Sequence, residues 1–286
     1  MYDLLIIGGG PAGLSAAMTA RNRNLSVCVI CGGAADSALH KAGHVTNYHG
    51  VPDVSGPALL ETMTQQTRDL GADILRERAL SAMPMGKTFG VSAGKEFVEG
   101  RALLLATGIA QRGTFPGEAE FLGRGVSYCA TCDAFFYRGK DVAVLGSGEY
   151  ALHEAQALLP VAKSVTLLAN GQPLTAEFPA EVAVRPEKVE AILGEQRVSG
   201  VQLAGGETVA LDGVFVALGV AGSTALARKL GAEVDGNRIV TDEHMMTTLP
   251  GLYAAGDCTG GLLQVAKAVY EGALAGSEAA KALRKG

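Results

Sequence analysis

The fold is decided by a stretch close to the amino terminus, DLLIIGGGPAG, which spans residues 3–13. Apart from Asp3, the residues before its glycines are apolar, and this predicts a short strand buried on both faces. Residues 14–23 are rich in Ala and favour a helix, while LSVCVI at 25–30 predicts the next strand. The order strand, helix, strand is that of a β-α-β unit with two parallel strands.

The glycines between the first strand and the helix follow the spacing G-x-G-x-x-G, at Gly8, Gly10 and Gly13. In this context Gly8 permits a tight turn, Gly10 lets the backbone approach a pyrophosphate, and Gly13 lets the helix pack close to the strand. The amino end of the helix adds free N–H groups and a positive dipole end. The motif therefore predicts a dinucleotide site, and the alternative is a glycine-rich turn without a ligand.

A second unit of the same kind begins at Lys140. Residues 141–145 predict a strand, GSGEYA at 146–151 is a G-x-G-x-x-A turn, residues 152–162 favour a helix, and 163–169 predict another strand. Two such units predict an α/β fold with two Rossmann-like, dinucleotide-binding-type domains.

The second domain is expected to be inserted into the first. QRGTFPGE at 111–118 has the composition of a linker, and the segment after Val240 looks like the return to the first domain. We therefore assign residues 1–112 and 242–286 to a discontinuous first domain and residues 113–241 to the second.

Composition excludes several classes of protein. The chain has 286 residues, 48% of them apolar, and a net charge of 24 − 29 = −5, which argues against disorder and against nucleic acid as a partner. Gly and Pro interrupt every apolar run before it could span a membrane, so no membrane partner is expected. Five cysteines without a secretory signal point to a reducing compartment, the cytoplasm.

Two Cys-x-x-Cys spacings occur, and their contexts differ. Cys28 and Cys31 fall in or just after a predicted strand, where residues three apart lie roughly 10 Å apart, too far for a disulfide. Cys129 and Cys132 lie in a segment of helical or turn character, where the same spacing brings Cα atoms to about 5–6 Å and permits a disulfide. A zinc site needs four ligands and the chain offers no second matching pair, so no metal is expected.

At this point the chain resembles a known family, the low-molecular-weight, flavin-dependent thioredoxin reductases. The resemblance extends over essentially the whole length, and YCATCD is its most specific piece. The pieces that carry it are GGGPAGLSAA (8–17), NYHG (47–50), ALLLATGI (102–109), GVSYCATCDA (125–134), DGVFVALG (212–219) and YAAGDCTG (253–260).

The resemblance implies FAD in the first domain, a thioredoxin-like partner and a homodimer. It implies that Cys132 faces the flavin, that Cys129 attacks the disulfide of thioredoxin, and that Asp133 donates or accepts the proton. The residues implied at the cofactor are Gly8, Gly9, Gly10, Pro11, Ala12, Gly13, Gly32, Leu39, Asn47, Ala106, Thr107, Gly108, Gly256, Asp257, Gln264 and Val265.

The second nucleotide motif departs from the family pattern. NADPH-dependent members follow the second strand with a basic cluster that clamps the 2′-phosphate, whereas LLANGQPL at 167–174 has no basic residue. Tyr150 stands where the family has a small Ser. The chain is thus most similar to the ferredoxin-dependent flavin thioredoxin reductases, and the expected donor is ferredoxin or another low-potential carrier.

Three alternatives remain open from the sequence. The first is an NAD(P)H-dependent thioredoxin reductase with an unusual nucleotide site. The second is a flavin–nicotinamide reductase that serves ferredoxin, although relatives of that kind lack the pair Cys129 and Cys132. The third is a flavoprotein without turnover that signals redox state through its disulfide.

Overall fold

The computed structural model describes residues 1–33, 37–108, 115–128, 130–218, 223–236 and 238–285. The strands are Tyr2–Ile7 (β1), Val27–Ile30 (β2), Asp73–Leu75 (β3), Ala79–Met85 (β4), Thr88–Ala93 (β5), Glu96–Leu105 (β6), Val126–Ser127 (β7), Asp141–Leu145 (β8), Ser164–Leu168 (β9), Val182–Arg185 (β10), Val189–Gly194 (β11), Val198–Leu203 (β12), Thr208–Ala210 (β13), Gly213–Val216 (β14), Val234–Asp235 (β15), Arg238–Ile239 (β16) and Leu252–Ala254 (β17). The α-helices are Pro11–Arg21 (α1), Gly56–Asp69 (α2), Ala130–Asp133 (α3), Glu149–Leu158 (α4), Ser223–Leu230 (α5) and Val265–Lys285 (α6). Short 3-10 helices span Leu39–Lys41, Ala134–Tyr137 and Asp257–Thr259.

The chain folds into two compact units. The first unit comprises Met1–Ala110 and Gly222–Gly286, and the second comprises Gln111–Ala221. The sequence predicts residues 222–241 in the second domain, whereas in the structure they belong to the first unit. The chain leaves the second unit shortly after β14, and α5 then packs against β4 while β16 lies beside the 3-10 helix of residues 257–259.

The first unit is built on a mixed sheet with the order β3-β2-β1-β6-β5-β4, in which β17 also pairs with β6. Strands β3, β2, β1, β6 and β17 are parallel, whereas β5 and β4 continue the sheet antiparallel. Residues 4–7 of β1 are buried, as the apolar run predicted for a strand with both faces covered.

Helices α1 and α6 pack closely because glycine and alanine line their contact. A Cβ atom built on Gly272 would lie 2.0 Å from the carbonyl oxygen of Ala12, and one on Gly276 would lie 2.5 Å from that of Ala16. Ala275 and the other small residues of this face are buried in the main core of the unit. The short approach fixes the start of α1 relative to α6.

The second unit contains a parallel sheet with the order β10-β9-β8-β14-β7 and an antiparallel sheet with the order β11-β12-β13. The second predicted β-α-β unit is present as β8, α4 and β9, and the bounds of β8 coincide with the predicted 141–145. Its core lies among apolar residues of the two sheets, including Leu145, Leu168 and Val214. Of the helices that the structure describes, none is long and apolar enough to cross a membrane.

The contact between α1 and α6 yields a prediction about stability. We expect Gly272→Ala to lower the free energy of unfolding by about 3 kcal/mol, because the new methyl group overlaps the backbone of α1. Chemical denaturation of the purified variant measures this. The matched control is Gly43→Ala, where a Cβ atom meets nothing within 4 Å in the part of the chain that the structure describes, and the expected change stays within about 0.5 kcal/mol. Equal stability of the two variants would contradict the prediction.

Candidate functional site

The predicted cofactor residues of the first unit collect at one edge of its sheet. Parallel strands β1, β2, β6 and β17 all end at this edge, and each is followed by predicted residues. Gly8 follows β1, Gly32 comes two residues after β2, Ala106 follows β6, and Gly256 comes two residues after β17. The carboxyl edge of a parallel sheet is where open α/β folds bind their ligands.

The turn between β1 and α1 is held in shape by close backbone approaches. Gly8 has φ +119°, and a Cβ atom built on it would lie 2.2 Å from the carbonyl oxygen of Ala106. A Cβ atom on Gly13 would lie 1.9 Å from the carbonyl oxygen of Gly8. No side chain fits at either position, so both glycines are dictated by geometry.

The space beside Gly10 is open among the described residues. Among the described residues, a Cβ atom on Gly10 would meet only the Ser37 hydroxyl oxygen, at 3.8 Å. Helix α1 begins at Pro11, and the Gly10 N-cap has no side chain to cap its first turn. The first N–H groups and the dipole end of α1 can therefore bind an anionic group, and the turn fits a pyrophosphate.

Asn47 and Gln264 are brought together although 217 positions separate them in sequence. The Asn47 side-chain amide donates a hydrogen bond to Gln264 Oε1 at 2.6 Å. Val265 is the first residue of α6, so the pair lies at the amino end of that helix. Two residues that the sequence assigned to the cofactor are therefore direct neighbours.

Two other predicted cofactor residues, Gly108 and Leu39, differ in how accessible they are. Gly108 has φ +66°, and a Cβ atom built on it would meet nothing within 4 Å among the described residues. The Leu39 side chain, in contrast, is buried. Leu39 packs with Leu14 and Leu59 in a small apolar cluster, so only its backbone can face a ligand. The structure therefore gives Leu39 a role in the core.

Asp257 begins the 3-10 helix of residues 257–259, directly after Gly256. Burial raises the pKa of the Asp257 carboxyl above its usual value, Lys267 opposes this, and Glu271 adds to it. Lys267 and Glu271 were not among the residues predicted from the sequence. The sequence feature that could have identified them is their spacing, because a Lys and a Glu four residues apart lie on one face of a helix and can form an ion pair.

The segment that carries Cys132, predicted to have helical or turn character, is helical over Ala130–Asp133. Helix α3 spans Ala130–Asp133 and includes the backbone of Cys132, whereas Cys129 and the Cys132 side chain lie outside the described residues. Asp133 lies at the end of α3, where its Oδ2 accepts a hydrogen bond of 2.6 Å from the Ser127 hydroxyl.

Two side chains of α4 hold this segment in place. The Tyr150 hydroxyl donates to the carbonyl oxygen of Tyr128 at 2.7 Å, and the Glu154 carboxylate accepts from the backbone N–H of Ala130. Glu118 is also buried and accepts from the Tyr128 hydroxyl at 2.7 Å. No local pattern singles out Glu118 or Glu154, because their partners are known only once the sheet order is known.

The G-x-G-x-x-A turn of the second unit differs from the turn of the first. The chain after β9 folds over it, since Thr175 N donates to the carbonyl oxygen of Ser147 at 2.9 Å. A Cβ atom on Gly148 would lie 3.0 Å from Thr175 Oγ1, compared with 3.8 Å to the nearest atom at Gly10. The Tyr150 ring is buried in the first turn of α4.

Beyond β9, the Arg185 side chain is paired with carboxylates, and the aliphatic part of the Lys188 side chain packs against Gly171. Arg185 pairs with Glu187 at 3.0 Å and with Glu207 at 2.6 Å. The Lys188 side chain lies against Gly171, with its Cγ 3.0 Å from a Cβ position built there. The carboxylates neutralise Arg185, so it is not available to clamp a phosphate.

Cys28, Cys31 and Cys258 are present as thiols, which confirms that the first Cys-x-x-Cys pair is not a disulfide. Cys28 lies within β2 and Cys31 directly follows it. Burial raises the pKa of the Cys28 thiol to about 11 and that of the Cys258 thiol to about 12. Both are protonated at neutral pH and chemically inert in the folded protein.

These pKa values predict a pattern of alkylation. At pH 8 we expect iodoacetamide to modify Cys28 on the order of a hundredfold more slowly than free cysteine, and Cys258 on the order of a thousandfold more slowly, because only the thiolate reacts. Peptide mapping by mass spectrometry measures this, with guanidinium-unfolded protein as the control in which both react. Rapid labelling of Cys258 in the native protein would contradict its burial.

Comparison with known proteins gives consistent matches over the whole chain. The family described as pyridine nucleotide-disulphide oxidoreductase matches residues 2–272. Thioredoxin reductase of Listeria monocytogenes is 35% identical over 299 aligned positions, which cover 98% of this chain and 93% of that protein. Thioredoxin reductase of Aquifex aeolicus is also 35% identical, over 100% of this chain and 93% of that protein.

Two solved structures are similar to the whole chain. The atypical thioredoxin reductase TRi of Desulfovibrio vulgaris superposes with a TM-score of 0.88 at 34% identity, covering 100% of this chain and 99% of that one. A ferredoxin-flavin thioredoxin reductase of Clostridium acetobutylicum superposes with a TM-score of 0.76, also at 34% identity and with the same coverage.

Proposed function

Because the chain belongs to the pyridine nucleotide-disulphide oxidoreductase family, and within it to the thioredoxin reductases, we propose that it reduces a thioredoxin-type protein through FAD and a Cys129–Cys132 disulfide. We propose that the electrons come from ferredoxin or another low-potential carrier and not from NADPH. The donor proposal rests on the turn at Gly148, which the chain itself covers with Thr175.

Thioredoxin reductases of this kind bind FAD, and the residues of the first unit fit it. The open space beside Gly10 and the uncapped start of α1 suit the pyrophosphate. We assign Asn47 and Gln264 to the flavin end and Asp257 to the ribityl chain. When bound, FAD supplies the electron pair that reduces the disulfide.

The disulfide chemistry is assigned to the second unit. Two electrons and two protons convert the Cys129–Cys132 disulfide into two thiols. The Cys129 thiolate then attacks the disulfide of thioredoxin, one thioredoxin thiolate leaves, and a mixed disulfide forms. Cys132 attacks that mixed disulfide, which restores the Cys129–Cys132 bond and releases reduced thioredoxin.

Asp133 is assigned the proton transfers of these steps. It is next to Cys132 in sequence, and its carboxylate is oriented by the hydrogen bond from Ser127. Each exchange step forms a thiolate that must gain or lose a proton, and a fixed carboxylate lowers the cost of that transfer. Tyr150 and Glu154 support the assignment because they hold the backbone on either side of Cys129.

Charge and space together support the proposal that NADPH is not the donor. A 2′-phosphate is normally held by several Arg side chains, each worth about 1.5–3 kcal/mol. Residues 167–174 offer none, and Arg185 is already paired with Glu187 and Glu207. Thr175 lies over the turn where a pyrophosphate would approach.

The name of one of the two similar structures supports this donor assignment. One is named a ferredoxin-flavin thioredoxin reductase and the other an atypical thioredoxin reductase, and this chain covers 99% of each. A homodimer and a location in the reducing cytoplasm complete the proposal, and both remain predictions from the sequence.

The role of the disulfide yields a direct prediction. With a chemically reduced viologen as donor, Cys129→Ser and Cys132→Ser should each lose thioredoxin reduction by on the order of a thousandfold while they retain FAD. The matched control is Cys31→Ser, in the other Cys-x-x-Cys pair, which should keep its activity. Turnover of either redox variant at the wild-type rate would refute the assignment.

A further inference from the structure

The turn that carries Asp257 is bracketed by two glycines in an unusual conformation. Gly256 has φ +86° and ψ −152°, and Gly260 has φ +81° and ψ −157°. This region of backbone space is essentially confined to glycine, and fixing a glycine in one conformation costs more backbone entropy than fixing any other residue. Something in the fold must therefore keep residues 256–260 in this shape.

Lys267 on α6 holds both ends of the turn. Its ammonium donates to the carbonyl oxygen of Gly256 and to that of Gly260, each at 2.7 Å. It also donates to the Thr259 hydroxyl at 2.8 Å, within the 3-10 helix. One cation thus connects the two glycines at the ends of the turn.

Glu271, one helical turn further along α6, completes the arrangement. Its Oε2 accepts from the backbone N–H of Gly256 and from the Thr259 hydroxyl, both at 2.8 Å, and pairs with Lys267 at 2.9 Å. The Lys267 and Glu271 side chains are only 14% and 13% exposed. Such burial of two charges is costly, and here each charge is satisfied by the turn as well as by the other.

The turn lies against the start of α1, where the pyrophosphate is expected. A Cβ atom built on Gly256 would lie 2.8 Å from the Ala12 Cβ atom. A change in the turn would therefore reach both Asp257 and the amino end of α1. Lys267 also places a positive charge close to two carboxylates, those of Asp257 and Glu271.

From this geometry we infer that Lys267 is a positioning residue of the flavin site. Its ammonium fixes the turn of residues 256–260 so that the Asp257 carboxylate is held where it meets the cofactor, and Glu271 holds the ammonium. The inference rests on the proposed binding of FAD. It assigns Lys267 no direct part in electron transfer.

The test compares variants of the FAD-containing protein. Lys267→Met removes the cation but keeps most of the apolar stem, and it leaves Glu271 unpaired beside Asp257. We expect the dissociation constant for FAD, measured by fluorescence of the released flavin on dilution, to rise at least tenfold. Lys267→Met/Glu271→Gln should bind FAD more tightly than Lys267→Met, because it removes the unpaired carboxylate.

The matched control is Lys281→Met, on the same helix. Lys281 pairs with Glu278 at 2.6 Å but is 63% exposed, and the dissociation constant for FAD should change less than twofold. Thr259→Val is a second test variant in case Lys267→Met does not fold. The Thr259 substitution removes only the hydroxyl that accepts a hydrogen bond from Lys267 and donates one to Glu271. We expect it to weaken FAD binding about threefold.

A readout at saturating FAD separates positioning from simple stability. The visible circular dichroism of the bound flavin should change in Lys267→Met and move back toward wild type in Lys267→Arg. Wild-type affinity and an unchanged spectrum in both Lys267→Met and Thr259→Val would overturn the inference. Absence of FAD binding by the wild-type protein would instead overturn the proposed function.

Discussion

The whole arrangement depends on how closely the backbone packs around the start of α1. Gly8 touches the backbone at Ala106, Gly13 touches Gly8, and Gly272 of α6 touches Ala12. These approaches leave no room for side chains, and they set the end of β1, the end of β6 and α6 at fixed distances from one helix terminus. The terminus then presents its N–H groups and dipole to a single location. Cofactor binding by the first unit follows from this packing.

The same type of turn occurs twice in the chain and serves different purposes. In the first unit, Gly10 leaves open space at the amino end of α1. In the second unit, Thr175 lies over the turn at Gly148, and the first turns of α4 support the redox helix through Tyr150 and Glu154. This difference between the two turns is why we propose that the first unit binds the cofactor and the second carries the disulfide. Packing requires a glycine at position 146 of the second turn, because a Cβ atom on Gly146 would lie 2.5 Å from the carbonyl oxygen of Ala217.

Local sequence patterns predicted the strands and helices well, but they did not predict the contacts between residues far apart in sequence. The apolar run at 141–145 has the bounds of β8, but both predicted helices begin three residues late, because α1 and α4 start directly after the second glycine of each turn, at Pro11 and Glu149. The return to the first unit was predicted about 20 residues late, since only the packing of α5 against β4 reveals it. Lys267 was not predicted as a site residue because two of its hydrogen-bond partners are backbone carbonyl oxygens, and no pattern of side chains in the sequence indicates such partners.

We propose that electrons do not enter through a nicotinamide site in the second unit. The most direct measurement mixes the oxidised protein under anaerobic conditions, separately, with NADPH, NADH and chemically reduced ferredoxin, and follows the visible absorbance of the flavin. We expect rapid bleaching of the flavin by reduced ferredoxin, and no bleaching on the same timescale by NADPH or NADH. Rapid bleaching by NADPH or NADH would contradict this proposal, because it would mean that the turn at Gly148 admits a dinucleotide despite Thr175 and the missing basic cluster.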